Sequence, residues 1–325
     1  MITRREWLAG TVAGLARSKA ALGREEDKKE ARKPAIFAFA RFHFDEKSRN
    51  GGIFEIDPDE ATWIKRSETG NMFARVSPNG EMLAYSQFGE EKLKGVFVQE
   101  LAGGEPRKLT KLLGRAVWSP DGSELIVGNG GTVASQTQSE PGTWRVDLKT
   151  GRATKLAIEP GPQVIDWSRD GKTLLALDEK NGNDKGDQPL VVFDLQGKNR
   201  RVLFGEKNVS TFDEHFSRDG ERVHYSRYLF EMGLSNLQAW VVDNDGKKRE
   251  RLYEKLDVDA DPLQVRTSPD GKRSVADLWE WTSGTDKKKV YDASNEKLAI
   301  IDRDSKTPRY IPLPPSQFIR LIDWV

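Results

Sequence analysis

The 325-residue chain carries 52 basic and 51 acidic residues, a formal net charge of +1, so no bulk field draws it to nucleic acid or to an anionic membrane surface. It contains no cysteine, which excludes disulfides, thiol catalysis and thiolate metal sites together. With 36% hydrophobic and 32% charged residues it reads as a soluble protein with much loop.

The chain opens Thr3-Arg4-Arg5-Glu6-Trp7-Leu8 and then runs weakly apolar to Ala16, with Arg17 and Lys19 behind. This resembles a twin-arginine export signal, with Trp7 where Phe is usual and Ser18-Lys19-Ala20 as a small-residue cleavage region. The apolar run is too short and mild to anchor in a bilayer, and the absence of cysteine excludes a lipid-modified N-terminal Cys. The alternative for 1–22 is a basic, unfolded N-terminus. Residues 23–34 are almost all charge and read as a solvated linker. The expected location is periplasmic or secreted, with no membrane span in the mature chain.

From residue 35 onward the sequence is organised by a repeated pentapeptide. Val76-Ser77-Pro78-Asn79-Gly80, Trp118-Ser119-Pro120-Asp121-Gly122, Trp167-Ser168-Arg169-Asp170-Gly171, Phe216-Ser217-Arg218-Asp219-Gly220 and Thr267-Ser268-Pro269-Asp270-Gly271 follow one another at steps of 42, 49, 49 and 51 residues. Such a period marks a repeat architecture and overrides the two-domain expectation that length alone would give. An apolar residue ends one strand, Ser and Asp bond nearby backbone to close a tight turn, and Gly supplies the positive φ. A β-rich second strand follows each turn, at 82–85, 124–127, 173–176, 222–225 and 273–276. Third strands read at 95–101, 143–148, 190–195, 239–243 and 297–302, and short fourth strands at 107–109, 154–156, 201–203, 250–252 and 310–312. Four antiparallel strands per repeat make the blade of a β-propeller.

The two ends complete each other. Residues 35–40 read as a second strand with no first strand before it, and 53–57 and 62–65 continue that blade. Residues 319–325 match a first strand and then stop. The C-terminal strand is therefore expected to complete the N-terminal blade, giving an all-β, six-bladed propeller over 35–325 at about 48 residues per blade. Closure would bury Phe318, Leu321, Ile322 and Trp324 and leave no open sheet face.

The repeat, apolar-Ser-Pro-Asp-Gly-x-x-Leu-Ala-Tyr, resembles the WD-repeat-like propeller repeat of the TolB-type family, best at 76–85 and 118–127. Arg stands for Pro at 169 and 218, and Asn for Asp at 79. The resemblance covers residue 35 to the end and implies the fold. It implies little of function, since the same repeat serves binding proteins, sensors and the propeller halves of peptidases. The family's namesake carries an α/β domain ahead of its propeller; with only 34 residues before the repeat here, this chain is not expected to be that protein in full.

First strands lie at the axis of a propeller. Two positions before the motif serine stand Arg75, Val117, Asp166, His215, Arg266 and, by alignment, Asp323, alternating with mostly apolar neighbours. With Arg115, Asp213 and Glu214 they form either a functional polar mouth on the channel or a set of mutual salt bridges between blades. The connections from second to third strand are long: 42–51, 129–141, 179–188, 228–236 and 281–296. They emerge at one end of the ring, where repeat proteins bind. Phe42, Phe44, Tyr228, Phe230, Met232, Trp281 and Tyr291 are candidate aromatic and Met anchors for a partner; the alternative is that they pack beneath their own loops.

Residues 178–184 and 257–261 are carboxylate-rich but lack the spacing of a calcium loop. No cofactor is expected, with a channel calcium ion at Asp166, Asp213 or Asp323 as the alternative. Three histidines, His43, His215 and His224, are too few for a His-rich metal centre, and His224 aligns with interior positions. No Gly-x-Ser-x-Gly elbow occurs, and no peptidase domain is expected after the last strand. The leading expectation is an exported, monomeric, non-catalytic propeller that binds a protein or peptide partner at its loop face. A metal-dependent lyase or lactonase and an orphan ligand sensor are the alternatives.

Overall fold

The computed structural model describes residues 33–42, 52–67, 74–87, 94–129, 142–178, 188–229, 238–253, 256, 260–283, 289–305, 307–313 and 316–325. The expected export signal and nearly all of the linker lie outside them. The chain divides into a unit Met1–Lys33 and a unit Pro34–Val325.

The described residues of the second unit form 24 strands. They are β1 (Ile36–Phe42), β2 (Gly52–Ile56) and β3 (Trp63–Ser67); β4 (Arg75–Val76), β5 (Met82–Gln87), β6 (Gly95–Glu100) and β7 (Arg107–Thr110); and β8 (Arg115–Trp118), β9 (Glu124–Asn129), β10 (Gly142–Asp147) and β11 (Ala153–Lys155). There follow β12 (Pro162–Trp167), β13 (Thr173–Asp178), β14 (Leu190–Asp194) and β15 (Arg201–Phe204), then β16 (Val209–Phe216), β17 (Arg222–Leu229), β18 (Gln238–Asp243) and β19 (Arg249–Arg251). The last are β20 (Ala260–Thr267), β21 (Arg273–Ser283), β22 (Lys289–Asp302), β23 (Arg309–Ile311) and β24 (Ser316–Trp324). They pair into six four-stranded antiparallel sheets, and five of these run in chain order. The sixth has the order β24-β1-β2-β3, which closes the ring. This is a six-bladed β-propeller.

The repeated turn works as its residues dictate. In every copy the Ser Oγ donates to the Asp or Asn Oδ1, at 2.6 Å in blades 2, 3 and 6, 2.7 Å in blade 4 and 2.5 Å in blade 5. The same hydroxyl accepts the backbone N–H five residues on, at 2.9–3.0 Å. The glycines Gly80, Gly122, Gly171, Gly220 and Gly271 hold φ of 71–74°, where a Cβ would be strained. The Ser hydroxyls hold the carboxyls of Asp121, Asp170 and Asp270 below the usual carboxylate range.

The core lies between facing sheets. Val275, Leu298 and Ile300 of blade 6 pack on Ile36, Ala38 and Trp324 of blade 1, and Leu175 and Val192 of blade 4 on Val223 and Tyr225 of blade 5. Strand β24 is covered on both faces: Leu321 and Trp324 pack toward blade 6, while Ile322 packs toward Val76, Leu83 and Tyr85 of blade 2. All three are buried. Backbone bonds between Ala35 and Val325, at 2.7 and 3.0 Å, extend the pairing of β1 with β24. The side chain of Phe318 lies outside the described residues.

One boundary differs from the expectation. Residues 281–296 read as a loop, but β21 continues to Ser283 and β22 begins at Lys289, so Trp281 and Tyr291 stand opposite each other in a ladder. Pairing resumes beyond a bulge between Trp279 and Trp281 because the segment keeps strand formers, Trp281, Thr282, Val290 and Tyr291, on both sides of the turn. The strands of this hairpin run 11 and 14 residues, against 5–8 in the corresponding strands of the other blades. Phe42 and Tyr228 likewise fall within β1 and β17.

Candidate functional site

The inner strands β4, β8, β12, β16, β20 and β24 surround the axis. Four of them carry a one-residue bulge against their partner: at Ile165, at Asp213–Glu214, at Leu263 and at Ile322. A bulge adds a residue to one strand and re-aims the side chains beside it. In β16 it holds Asp213 at a positive φ of 61°.

A cavity of about 470 Å³ opens along the axis at the end where the motif turns sit. Arg75, Val117, Asp166, His215, Arg266 and Asp323, one from each blade, all line it. So do Arg169, Arg218 and Glu214. Asp213 stands behind this wall rather than on it, and Arg115 is not among the lining residues.

Hydrogen bonds tie neighbouring blades across the site. Arg266 donates to both oxygens of Asp213 at 2.6 Å and through Nε to the Ile322 carbonyl at 2.9 Å, which joins blades 5, 6 and 1. Burial opposes the Arg266 charge, but the Asp213 carboxylate outweighs it and keeps the guanidinium more firmly protonated than usual. Asp166 accepts the Trp167 and Phe216 N–H groups at 2.8 and 2.7 Å, linking blades 4 and 5. Burial still pushes its carboxyl up to about 6, and burial raises that of Asp323 too. Trp118 Nε1 donates to the Arg75 carbonyl at 3.0 Å, and Arg218 reaches across to the Trp324 carbonyl at 3.2 Å.

The wall is only partly neutralised by its own contacts. Of the described residues lining the cavity, Arg266 forms an ion pair, with Asp213. Arg75 bonds only the Ala74 carbonyl, and burial with repulsion from Arg115 and Arg266 pulls it down to about 10. The His215 ring stacks on that of His224 with centroids 5.1 Å apart. Burial holds His215 well below its ordinary range and His224 near about 4, so the pair is neutral. His224 is therefore half-buried against a second imidazole, whereas the aligned Ala84, Ile126, Leu175 and Val275 are fully buried. Glu214 is 2% exposed, and neither carboxylate oxygen has a hydrogen-bond partner. No group of three ligating His, Asp or Glu side chains converges among the described residues.

Of the loop-face aromatics, the backbones of Phe42, Tyr228, Trp281 and Tyr291 are described, whereas Phe44, Phe230 and Met232 lie outside the described residues. In the sequence Arg169 and Arg218 stand out only as departures from the repeat. Their signal was the position itself, since Pro78 and Pro120 at the same place also line the cavity. Among the described residues no helix is long and apolar enough to cross a membrane.

No family model and no curated protein matches this sequence. Solved structures do. TolB from Acinetobacter baumannii superposes with a TM-score of 0.62 at 16% identity, covering 89% of this chain and 66% of that one. A TolB from Agrobacterium tumefaciens, described as putative, gives 0.57 at 16%, covering 89% and 98%. The nidogen/laminin complex gives 0.54 at 13%, covering 89% and 97%, and an oligogalacturonate lyase from Vibrio parahaemolyticus gives 0.50 at 12%, covering 85% and 78%. The chain spans slightly less than two thirds of the Acinetobacter protein. At these identities the likeness is one of fold, and the fold shared is that of the TolB-type propeller.

Proposed function

We propose that the chain is an exported, monomeric, non-catalytic propeller that binds a protein or peptide partner at the face carrying its second-to-third-strand connections. The observation that carries this reading is the β21–β22 hairpin, whose strands are longer than their counterparts in the other blades among the described residues, and which sets Trp281 opposite Tyr291 near its end. Two aromatic residues in register on one ladder are of the residue type that dominates binding energy at interfaces. Similarity to TolB propellers supports a binding role, and the Thr3-Arg4-Arg5 start supports export to the periplasm or beyond. Capture from a cell-envelope extract on immobilised protein tests it: Trp281→Ala should lose the partner that the parent chain retains. Equal capture by both would refute the anchor.

The second reading, a metal-dependent lyase with a channel ion, draws on the likeness to the Vibrio oligogalacturonate lyase. Asp213 is already committed to Arg266, which leaves Asp166 and Asp323 as ligands for a calcium ion. Elemental analysis of purified protein decides: a stoichiometric divalent ion lost on Asp166→Asn favours the enzyme.

A further inference from the structure

Requirements of the fold are shared by every blade, so residues that break the repeat are those the fold does not explain. Three positions break it in blades 4 and 5, and all three line the axial cavity described above. Arg169 and Arg218 replace the proline found at Pro78, Pro120 and Pro269. Glu214 stands three residues before its motif serine, where the other blades place Ala74, Ala116, Ile165, Val265 and, by alignment, Ile322, all buried and apolar. A buried carboxylate with neither oxygen bonded carries a desolvation cost that none of these five incurs.

Opposite charges in this cavity are also kept apart. No ion pair joins Arg75, Arg169 or Arg218 to Asp166, Glu214 or Asp323 among the described residues, although all six line it. Arg218 spends one N–H on the Trp324 carbonyl, and Arg169 makes no hydrogen bond among the described residues. A cavity that satisfied only itself would collapse these groups into salt bridges, as Arg266 on its wall does with Asp213 behind it. Held apart, they complement a ligand with charges of both signs. The volume, about 470 Å³, lies within the roughly 300–1,000 Å³ of small-molecule sites.

We propose that the motif-turn end of the shaft binds a small zwitterion, an amino acid or short unblocked peptide, with its carboxylate on Arg169 and Arg218 and its ammonium on Glu214. This site lies at the opposite end of the shaft from the loop-face anchor and stands independently of it.

The test is calorimetric titration of the full chain with triglycine, N-acetyl-triglycine and triglycine amide. Triglycine should saturate with a Kd of about 1 mM or tighter, and each blocked form should bind at least about tenfold more weakly. Arg169→Pro and Glu214→Ile each install the residue other blades carry, so the turn and packing have precedents within this chain. Arg169→Pro should abolish discrimination against the amide, and Glu214→Ile discrimination against the acetyl form, while Trp281→Ala leaves triglycine binding unchanged. No saturation by about 10 mM, equal binding of the three peptides, or parent-like selectivity in both variants would overturn the proposal. The comparison of peptides on the parent chain decides even if a variant fails to fold.

Discussion

Blades 3 and 5 share one turn and little else. Ser119 and Ser217 close their hairpins with the same bonds, and Gly122 and Gly220 sit at φ of 72° and 74°. The strand leading into the turn reads Arg115-Ala116-Val117-Trp118 in blade 3 and Asp213-Glu214-His215-Phe216 in blade 5. Blade 3 pairs β8 with β9 without a shift, whereas β16 is bulged against β17. The difference separates two kinds of constraint. Hairpin closure is local chemistry and repeats, while the axial residues answer to whatever occupies the middle of the ring.

The sharpest way to break this comparison is Asp213→Ala. It leaves Arg266 buried without its counter-charge and should cost about 3–5 kcal/mol in chemical denaturation. The aligned Arg115 is only half-buried, and Arg115→Ala should cost far less. Equal losses would mean that the axial pair is not specific to blade 5.

Next in size is a pH effect. An unfolded histidine takes up its proton near 6.5, but folded His224 does so only near about 4, so stability is lost as pH falls through that window. Blade 3 has Ile126 at this place. His224→Ile should therefore shrink the loss of stability between pH 7 and pH 4 by about 2 kcal/mol, read from urea midpoints at both values. An unchanged acid sensitivity would refute the buried-pair account. The smallest effect is also the most even: Ser119→Ala and Ser217→Ala should each cost about 1–2 kcal/mol, equal within about 0.5. A much larger loss in blade 5 would show that its turn supports more than its own hairpin.

Much of this was legible in residue order. The turn could be read because Ser, Asp and Gly act within five residues of one another, and closure because 35–40 lacked a first strand that 319–325 supplied. The axial set Arg75, Val117, Asp166, His215, Arg266 and Asp323 emerged from counting back from the serine. What residue order hid was non-local. Arg266 and Asp213 lie 53 positions apart and meet only when the sheets stand side by side. The inner-strand bulges have no glycine to announce them, and only the one at Leu263 has a proline, Pro262, beside it. In 281–296 the run Lys287-Lys288-Lys289 masks the strand formers Trp281, Thr282, Val290 and Tyr291 that keep its flanks paired. Arg169 and Arg218 were visible as exceptions, but their direction became clear only with the cavity.

The pairing of β24 with β1 sets a timetable for the nascent chain. A segment beginning at Ile36 must wait, one flank unpaired, until a segment ending at Trp324 clears the ribosome. Such a distant contact is slow to form, and until then the waiting flank can recruit a neighbour's strand instead. Chaperone demand should therefore persist until β24 is made and fall once it pairs with β1.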